Sequence, residues 1–107
     1  MIKRNRVFKM ELLVLTVLSK GDCYRYDICK HIKEETEGLI DSKEGVMYPI
    51  LYNLINENYI SSYEKLVDHG VRVYYHIEES GRAYLMELKD EFQKKMALIQ
   101  KMIEKAV

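Results

Sequence analysis

Several residue types are scarce in this 107-residue sequence, and each scarcity removes a class of protein. The two cysteines, Cys23 and Cys29, have no second pair, and the three histidines are scattered. This pattern fits neither a zinc framework nor a disulfide scaffold, so we expect two reduced thiols and no bound metal. A thiol sensor is also disfavoured, because the cysteines lack C-x-x-C spacing and any activating cluster.

Long apolar runs and enzyme motifs are missing as well. No apolar segment is long enough to span a bilayer. Glu11 interrupts the apolar segment behind the basic N-terminus, which also lacks the small-residue cleavage site of a signal peptide. We therefore expect a cytoplasmic protein with no membrane association. No acid–base pair, nucleophile constellation or phosphate-cradling glycine loop stands out, so neither an enzyme nor a cofactor is expected.

Net charge is absent too, because 17 Lys and Arg balance 17 Asp and Glu, but the charges are unevenly distributed. Residues 1–33 carry a net charge of +5, residues 34–68 carry −6, and residues 69–107 carry +1. A nucleic-acid binder usually presents a basic face. Any such face must come from the N-terminal arm and a few selected positions. The acidic middle third leaves open a winged-helix module that binds another protein without sequence-specific DNA binding.

The single proline, Pro49, lies in the stretch around which the chain is organised, residues 42–58. At 100° per residue, one face of this predicted helix is apolar and carries Met47, Ile50, Leu51, Leu54 and Ile55. The opposite face carries Gly45, Tyr48, Pro49, Tyr52, Asn53 and Asn56. A proline inside a helix costs roughly 3 kcal/mol, but a glycine four residues earlier does not obstruct a local bend. Asp41 or Ser42 is the expected N-cap, and Asn58 a left-handed C-cap.

The elements around this stretch predict a mainly α fold with a β-hairpin wing. Helices are expected before it at residues 8–19 and 25–36, and strands after it at residues 59–66 and 71–77. Three helices followed by a hairpin is the winged helix-turn-helix order, in which the third helix enters the major groove and the wing lies on the backbone. Residues 1–79 are therefore the expected DNA-binding domain. The expected inner residues of the second helix are Tyr26, Ile28, Cys29 and Ile32.

A last helix is predicted over residues 80–107, about 40 Å long at 1.5 Å per residue. Apolar residues repeat along it every seven positions, with Lys95 as an interruption. The predicted stripe comprises Leu85, Leu88, Phe92, Met96, Ile99, Met102 and Ile103. A helix this long overhangs a core of this size, so its stripe needs a partner. A symmetric homodimer is the simplest partner, which makes residues 80–107 a dimerisation helix; the alternative is a helix that folds back on its own domain.

Three segments together resemble the PadR family of bacterial transcriptional regulators, in its short form with a single C-terminal helix. Residues 45–54, GVMYPILYNL, resemble the family pattern G-T-L-Y-P-x-L-x-R-L. Residues 73–81, VYYHIEESG, resemble K-Y-Y-x-L-T-x-x-G, and residues 26–28, YDI, resemble G-Y-E-I at the start of the family's second helix. The resemblance covers essentially the whole chain, and the three segments at these separations form a specific signal.

The resemblance implies a homodimeric repressor of an inverted-repeat operator in double-stranded DNA, often beside its own gene. In many members a small aromatic or drug-like effector releases the DNA. The resemblance matches Tyr48 to the recognition helix, and Gly70 with Arg72 to the wing. Phe92 stands where several short members carry a tryptophan in a pocket between subunits; the alternative is that Phe92 fills its own core. The expected pocket residues are Phe92, Leu88 and Met96.

Departures from the family pattern bear on affinity for DNA. Arg25 replaces a common glycine of the family, and Val46 replaces a usual threonine. Arginine is frequent in the family at the positions of Tyr52 and Asn53. Usual basic residues of the wing are replaced here by Val71, Val73 and His76. Phosphate contacts supply most non-specific affinity through counterion release. Each lost basic residue is therefore expected to weaken binding and to flatten its dependence on salt.

The expected DNA contacts fall into four groups. Ser42 and Lys43 donate to phosphate at the start of the third helix. The groove is read by Val46, Tyr48, Tyr52 and Asn53. The wing holds the backbone through Lys65, His69 and Arg72. The N-terminal arm adds Lys3, Arg4 and Arg6. Three of these expectations have an alternative. Tyr52 packs against the wing in place of contacting DNA, His69 is exposed without a role, and the N-terminal arm is a solvated terminus.

Overall fold

The computed structural model describes residues 7–106, in which three helices and a three-stranded sheet precede one long helix. The helices are α1 (Met10–Ser19), α2 (Arg25–Glu35), α3 (Glu44–Asn56) and α4 (Glu79–Glu104). The strands are β1 (Cys23–Tyr24), β2 (Ile60–Val67) and β3 (Gly70–Ile77). The sheet is antiparallel with the order β1-β3-β2. The winged helix-turn-helix predicted from the sequence is confirmed.

Helix α1 forms the centre of the core because nearly all of its sides are apolar. It contacts α2, α3, α4 and β3. Its buried side chains are Leu12, Val14, Leu15, Val17 and Leu18. The helix begins at Met10, two residues after the predicted start, and the carbonyl of Lys9 accepts a hydrogen bond from the N–H of Leu12. Phe8 lies outside the helix and packs edge-on against Phe92 of α4.

Helix α2 has a narrower buried face than the sequence predicted. Ile28 and Ile32 are buried and Cys29 is half-buried, as expected. The prediction that Tyr26 points inward is wrong, because its side chain is 47% exposed. Its ring lies 5.2 Å from that of Tyr24, so it covers the outer side of the sheet instead of the core.

Helix α3 is two-faced as predicted. Met47, Leu51 and Leu54 are buried against the core, and the opposite face, which includes Pro49, is exposed. The prediction of Asp41 or Ser42 as the N-cap is wrong. The N-cap is Lys43, whose carbonyl accepts hydrogen bonds from the N–H groups of Val46 and Met47, while its own side chain makes no capping hydrogen bond.

The C-terminus of α3 confirms the predicted left-handed cap. Asn58 has φ +63°. Its N–H donates to the carbonyl of Ile55, and the N–H of Tyr59 donates to that of Leu54. These two hydrogen bonds form a Schellman motif, which satisfies the last carbonyls of the helix and directs the chain into β2.

The β-hairpin runs in continuous register from Ile60 opposite Ile77 to Val67 opposite Gly70. Asp68 and His69 connect the strands. Gly70 adopts φ +122°, a conformation that disfavours a side chain. Strand β1 was not predicted: only two residues long, it pairs with β3 at the sheet edge, with Cys23 opposite Tyr75.

The first turn of helix α4 packs closely against the backbone of Tyr59, the residue before β2. A Cβ atom at Gly81 would overlap the carbonyl oxygen of Tyr59, so no larger residue fits there without movement. Ser80 Oγ donates to the carbonyl of Asn58 at 2.7 Å.

The first half of α4 packs on α1, and the second half extends away from the rest of the chain. The molecule therefore measures 59 Å along its longest axis and 28 and 27 Å along the other two. None of the helices formed by residues 7–106 has the length and apolar character needed to cross a membrane.

Candidate nucleic-acid interface

The outer face of α3 carries exposed aromatic and polar side chains. Tyr48 is 47% exposed and Tyr52 is 65% exposed. Asn53 is exposed on the same face. A Cβ atom at Gly45 would meet open space, so nothing rises above the backbone at that position. Because most of its side chain is exposed, Tyr52 is available to a binding partner. The remaining predicted groove residue, Val46, is exposed too.

The N-terminus of α3 differs from the expectation for phosphate binding. The Oγ atom of Ser42 is buried and lies beside the thiol of Cys29. In this arrangement the Ser42 hydroxyl cannot reach a phosphate, and packing of the loop against α2 explains why. Lys43, next in sequence, is exposed. Of the two expected phosphate donors, the structure therefore leaves Lys43 accessible.

Both cysteines are structural rather than reactive. Burial raises the pKa of Cys23 to about 11. Burial also raises the pKa of Cys29, and the neighbouring hydroxyl of Ser42 offsets part of that rise. A thiol with a raised pKa is a poor nucleophile at neutral pH. Within residues 7–106 no group of three or more His, Cys, Asp or Glu side chains is placed to hold a metal ion.

A row of tyrosine rings joins α3 to the wing. We call it the tyrosine row; in spatial order its members are Tyr48, Tyr26, Tyr24, Tyr74 and Tyr63. The ring of Tyr24 lies 5.2 Å from that of Tyr26 and 5.9 Å from that of Tyr74. Tyr63 stacks on Tyr74 at 5.8 Å between ring centres. Ring contacts thus connect α2, β1, β3 and β2, and Tyr48 of α3 joins them through the Arg25 side chain, which lies over the rings of both Tyr48 and Tyr26.

Three cations lie on the tyrosine row. The guanidinium of Arg25 lies 4.7 Å from the ring centre of Tyr48 and 5.2 Å from that of Tyr26, between the two rings. In the wing, Arg72 lies 4.8 Å from the ring of Tyr24, and Lys65 lies 5.3 Å from that of Tyr74. Rings attract cations through their negative faces. Among residues 7–106, no ion pair joins any of these three cations to a carboxylate, and the rings hold them on the surface.

The structure brings together two of the three predicted wing contacts. Lys65 and Arg72 are directly opposite each other across the hairpin. Both side chains are exposed. His69 is exposed at the turn, farther along the hairpin. Sequence reasoning missed the contribution of Arg25, Tyr24, Tyr63 and Tyr74. Tyr63 and Tyr74 were read only as part of a strand pattern, and Arg25 as the start of the second helix and a departure from the family pattern.

The wing is tied to the rest of the domain by Asp22, in the segment between α1 and β1. Tyr63 donates its hydroxyl hydrogen to Oδ2 of Asp22 at 2.8 Å, and Nδ1 of His76 lies 2.7 Å from Oδ1. The hydrogen bond from His76 lowers the pKa of Asp22, and Tyr63 lowers it further. The carboxylate therefore joins both long strands of the sheet to the end of α1.

The predicted stripe on α4 divides into two parts. Leu88 is buried in the core of its own chain, and Leu85 and Phe92 pack partly against that core. These three residues support the fold-back alternative for the first half of the helix. Farther along, the remaining stripe residues are exposed, namely Met96, Ile99, Met102 and Ile103. The exposed part of the stripe therefore begins at Met96.

A cavity of about 340 Å³ lies between the N-terminal segment and α4. Phe8 and Phe92 meet there at 6.1 Å with their rings nearly perpendicular. Two of the three predicted pocket residues, Leu88 and Phe92, line it, whereas Met96 does not. The full lining comprises Val7, Phe8, Lys9, Leu88, Glu91, Phe92 and Lys95. The predicted arm residues Lys3, Arg4 and Arg6 lie outside the residues that the structure describes.

Comparison with known proteins places this architecture among transcriptional regulators. The model of the transcriptional regulator PadR-like family matches residues 14–87. A transcriptional regulator from Clostridium thermocellum is 31% identical, with a TM-score of 0.79 over 85% of this chain and 89% of that one. A PadR family transcription regulator from Clostridium difficile is 29% identical, with a TM-score of 0.77 over 88% of this chain and 97% of that one.

A further similar structure is Bacillus subtilis PadR in complex with operator DNA. It is 26% identical, with a TM-score of 0.67 over 73% of this chain. The similarity spans 45% of that protein's own length.

Proposed function

The chain belongs to the PadR-like family of transcriptional regulators, and we propose from this premise that it is a homodimeric repressor that binds an inverted-repeat operator. One observation carries the proposal. Tyr48, on the exposed face of α3, is linked through Arg25 to Tyr26 and Tyr24. The rings of Tyr24 and Tyr74 in turn lie against the wing cations Arg72 and Lys65. Winged-helix proteins place the recognition helix in the major groove and the wing on the adjacent DNA backbone, so both must lie on the same side of the domain.

In the proposed complex, residues of α3 contact bases and residues around it contact phosphates. Tyr48, Tyr52 and Asn53 face the groove, where an asparagine pairs with adenine through two hydrogen bonds. Val46 contacts a thymine methyl group. The phosphate contacts come from Lys43, Lys65, His69 and Arg72, together with Lys3, Arg4 and Arg6 of the arm.

Dimerisation follows from the exposed part of α4. Met96, Ile99, Met102 and Ile103 lie at a spacing that suits helix pairing. Burying this stripe against its copy removes apolar surface from water at about 25 cal/mol per Å². A two-fold pair of chains would present two α3 helices to successive major grooves. In this proposal residues 1–79 form the DNA-binding domain and residues 80–107 the dimerisation helix, with Leu88 shared between them.

The cavity beside Phe92 is the proposed effector site. Its volume of about 340 Å³ and its two aromatic rings suit a planar aromatic molecule. Phe92 and Leu88 contact this molecule, and Met96 comes near it from the dimer interface. A ligand that binds the folded state raises its melting temperature. No change in melting temperature across a broad panel of planar aromatic compounds would leave Phe92 as a packing residue.

The decisive experiment selects duplexes from a randomised 40-bp library with the purified protein at moderate salt. We expect enrichment of a sequence with two related half-sites in inverted orientation. A reporter gene behind the selected duplex tests the repressor role, since expression falls when the protein is present. Enrichment of no duplex, with retained folding, would favour the protein-binding alternative and contradict the proposal.

A further inference from the structure

Arg25 occupies an unusual position for a cation. It is the first residue of α2, where the helix dipole disfavours positive charge. Its Nε atom is buried. Among the residues that the structure describes, no carboxylate oxygen forms an ion pair with it. Its side chain contacts aromatic rings instead, so these ring contacts, and not an ion pair, hold the Arg25 side chain in place.

The aromatic groups around Arg25 come from three elements. Its guanidinium lies between the ring of Tyr48 on α3 and the ring of Tyr26 on α2. On the inner side it faces buried Tyr75 of β3, where the cation opposes the rise in pKa that burial causes. A planar guanidinium suits contact with ring faces better than a compact ammonium does. Arg25 therefore connects the exposed ring of Tyr48 to the fixed sheet.

We propose that Arg25 is a positioning residue that fixes the orientation of the Tyr48 ring for base contact. The inference rests on the proposed function, because it assigns the surface that reads DNA. Tyr48 lies on the exposed face of α3 next to exposed Pro49 and one turn after Gly45, which has no side chain to support its ring. The support comes from α2 through Arg25. A ring held in one orientation loses less conformational freedom on binding.

The test compares Arg25→Lys with wild type on two duplexes, the one selected by the wild-type protein and a scrambled duplex of equal composition. Lysine keeps the charge but loses the planar contact. We expect Arg25→Lys to bind the selected duplex about 3- to 30-fold more weakly, the range of a cation–ring contact. Affinity for the scrambled duplex and the salt slope stay unchanged. Arg82→Lys, on α4 and away from the row, is the matched control.

A double-mutant cycle with Tyr48→Leu tests whether Arg25 acts through Tyr48. If it does, Arg25→Lys changes nothing further once the ring has been removed. Equal weakening on both duplexes, with a shallower salt slope for Arg25→Gln, would overturn the proposal and make Arg25 a phosphate contact. Wild-type affinity of Arg25→Lys would overturn it as well, while the proposed function would stand. If the wild-type chain selects no duplex, both proposals fail, and circular dichroism melts show whether each variant is folded.

Discussion

Oδ1 of Asp22 lies 2.7 Å from Nδ1 of His76, although the two residues are 54 positions apart in the chain. The same carboxylate accepts a hydrogen bond from the hydroxyl of Tyr63. Asp22 follows α1, whereas Tyr63 and His76 belong to the two long strands. One side chain thus links both long strands to the end of α1, and in the proposed complex this link helps to hold the wing cations Lys65 and Arg72 in place.

Asp22→Asn should loosen the wing and change the response of stability to acid. The pKa of Asp22 is lowered in the folded state from its ordinary value of 3.8. The stabilisation is therefore present above pH 3.8 and is lost as pH falls through the lower, folded pKa. Because the group is partly exposed, we expect a loss of about 0.5–1 kcal/mol at pH 7. Urea denaturation at pH 7 and at pH 3 measures it.

Asp90→Asn is the control for this experiment, because Asp90 forms an exposed pair with Lys94 within α4. We expect its effect to be smaller than that of Asp22→Asn. Equal stability of the Asp22→Asn variant and wild type at pH 7 would argue against the role of the carboxylate as an anchor.

Gly81→Ala should destabilise the fold, because the added Cβ would overlap the carbonyl of Tyr59. Overpacking of this kind costs about 1–3 kcal/mol. Gly45→Ala is the matched control, since its Cβ would meet open space in a helix. Alanine there should stabilise by about 0.5–1 kcal/mol. Thermal melts of both variants measure the difference, and a stable Gly81→Ala variant would refute the close contact.

Ile99→Glu should separate the subunits, because it places a charge in the proposed interface between α4 helices. Light scattering should then give the mass of one chain where wild type gives the mass of two. Operator affinity should fall at least about tenfold, because each half-site then binds separately. Lys101→Glu introduces the same side chain on the opposite face of the helix and should leave the dimer intact. Dissociation by both variants would indicate a general charge effect.

Arg72→Ala should weaken binding to all duplexes by a similar factor. Removal of one phosphate contact lowers the slope of log affinity against log salt by about one. Lys89→Ala removes an exposed charge from α4, away from the tyrosine row, and should leave the slope unchanged. Fluorescence anisotropy titrations at several salt concentrations measure both. An unchanged slope for Arg72→Ala would remove the wing from the contact surface.

Asn53→Ala should reduce discrimination rather than general affinity. Loss of a two-point contact with adenine is worth about 1–3 kcal/mol against the wrong base. The affinity ratio between the selected and scrambled duplexes should fall, while binding to the scrambled duplex stays the same. Asn56→Ala, one turn later on the same face, is the control. Equal discrimination by Asn53→Ala and wild type would exclude base contact by Asn53.

The sequence predicted the elements that have a strong period or a specific end signal. The 3.6-residue pattern of α3 separated Met47 and Leu51 from Tyr48 and Tyr52, and Asn58 marked the end of the helix. Strand β1 escaped prediction because two residues carry no alternation. Its presence depends on β3, which supplies the hydrogen-bonding partners.

The candidate site was harder to predict because its contacts join distant residues. Tyr24, Tyr48 and Tyr74 each lie on different elements, and no spacing in the chain relates them. The helical position of Tyr26 predicted a buried side chain, but its ring packs against that of Tyr24 at the surface. Ser42 has the residue type of a cap, but loop packing turns its hydroxyl inward. Side-chain orientation at these positions is a tertiary property.

A hydroxyl-radical footprint of the wild-type protein on its selected duplex tests the central claim most directly. Two chains paired through α4 should protect two half-sites in inverted orientation, centred about 34–36 Å apart, or one helical turn. The mass of the complex should correspond to two chains per duplex. A single protected segment with one chain per duplex would contradict the account of a paired regulator.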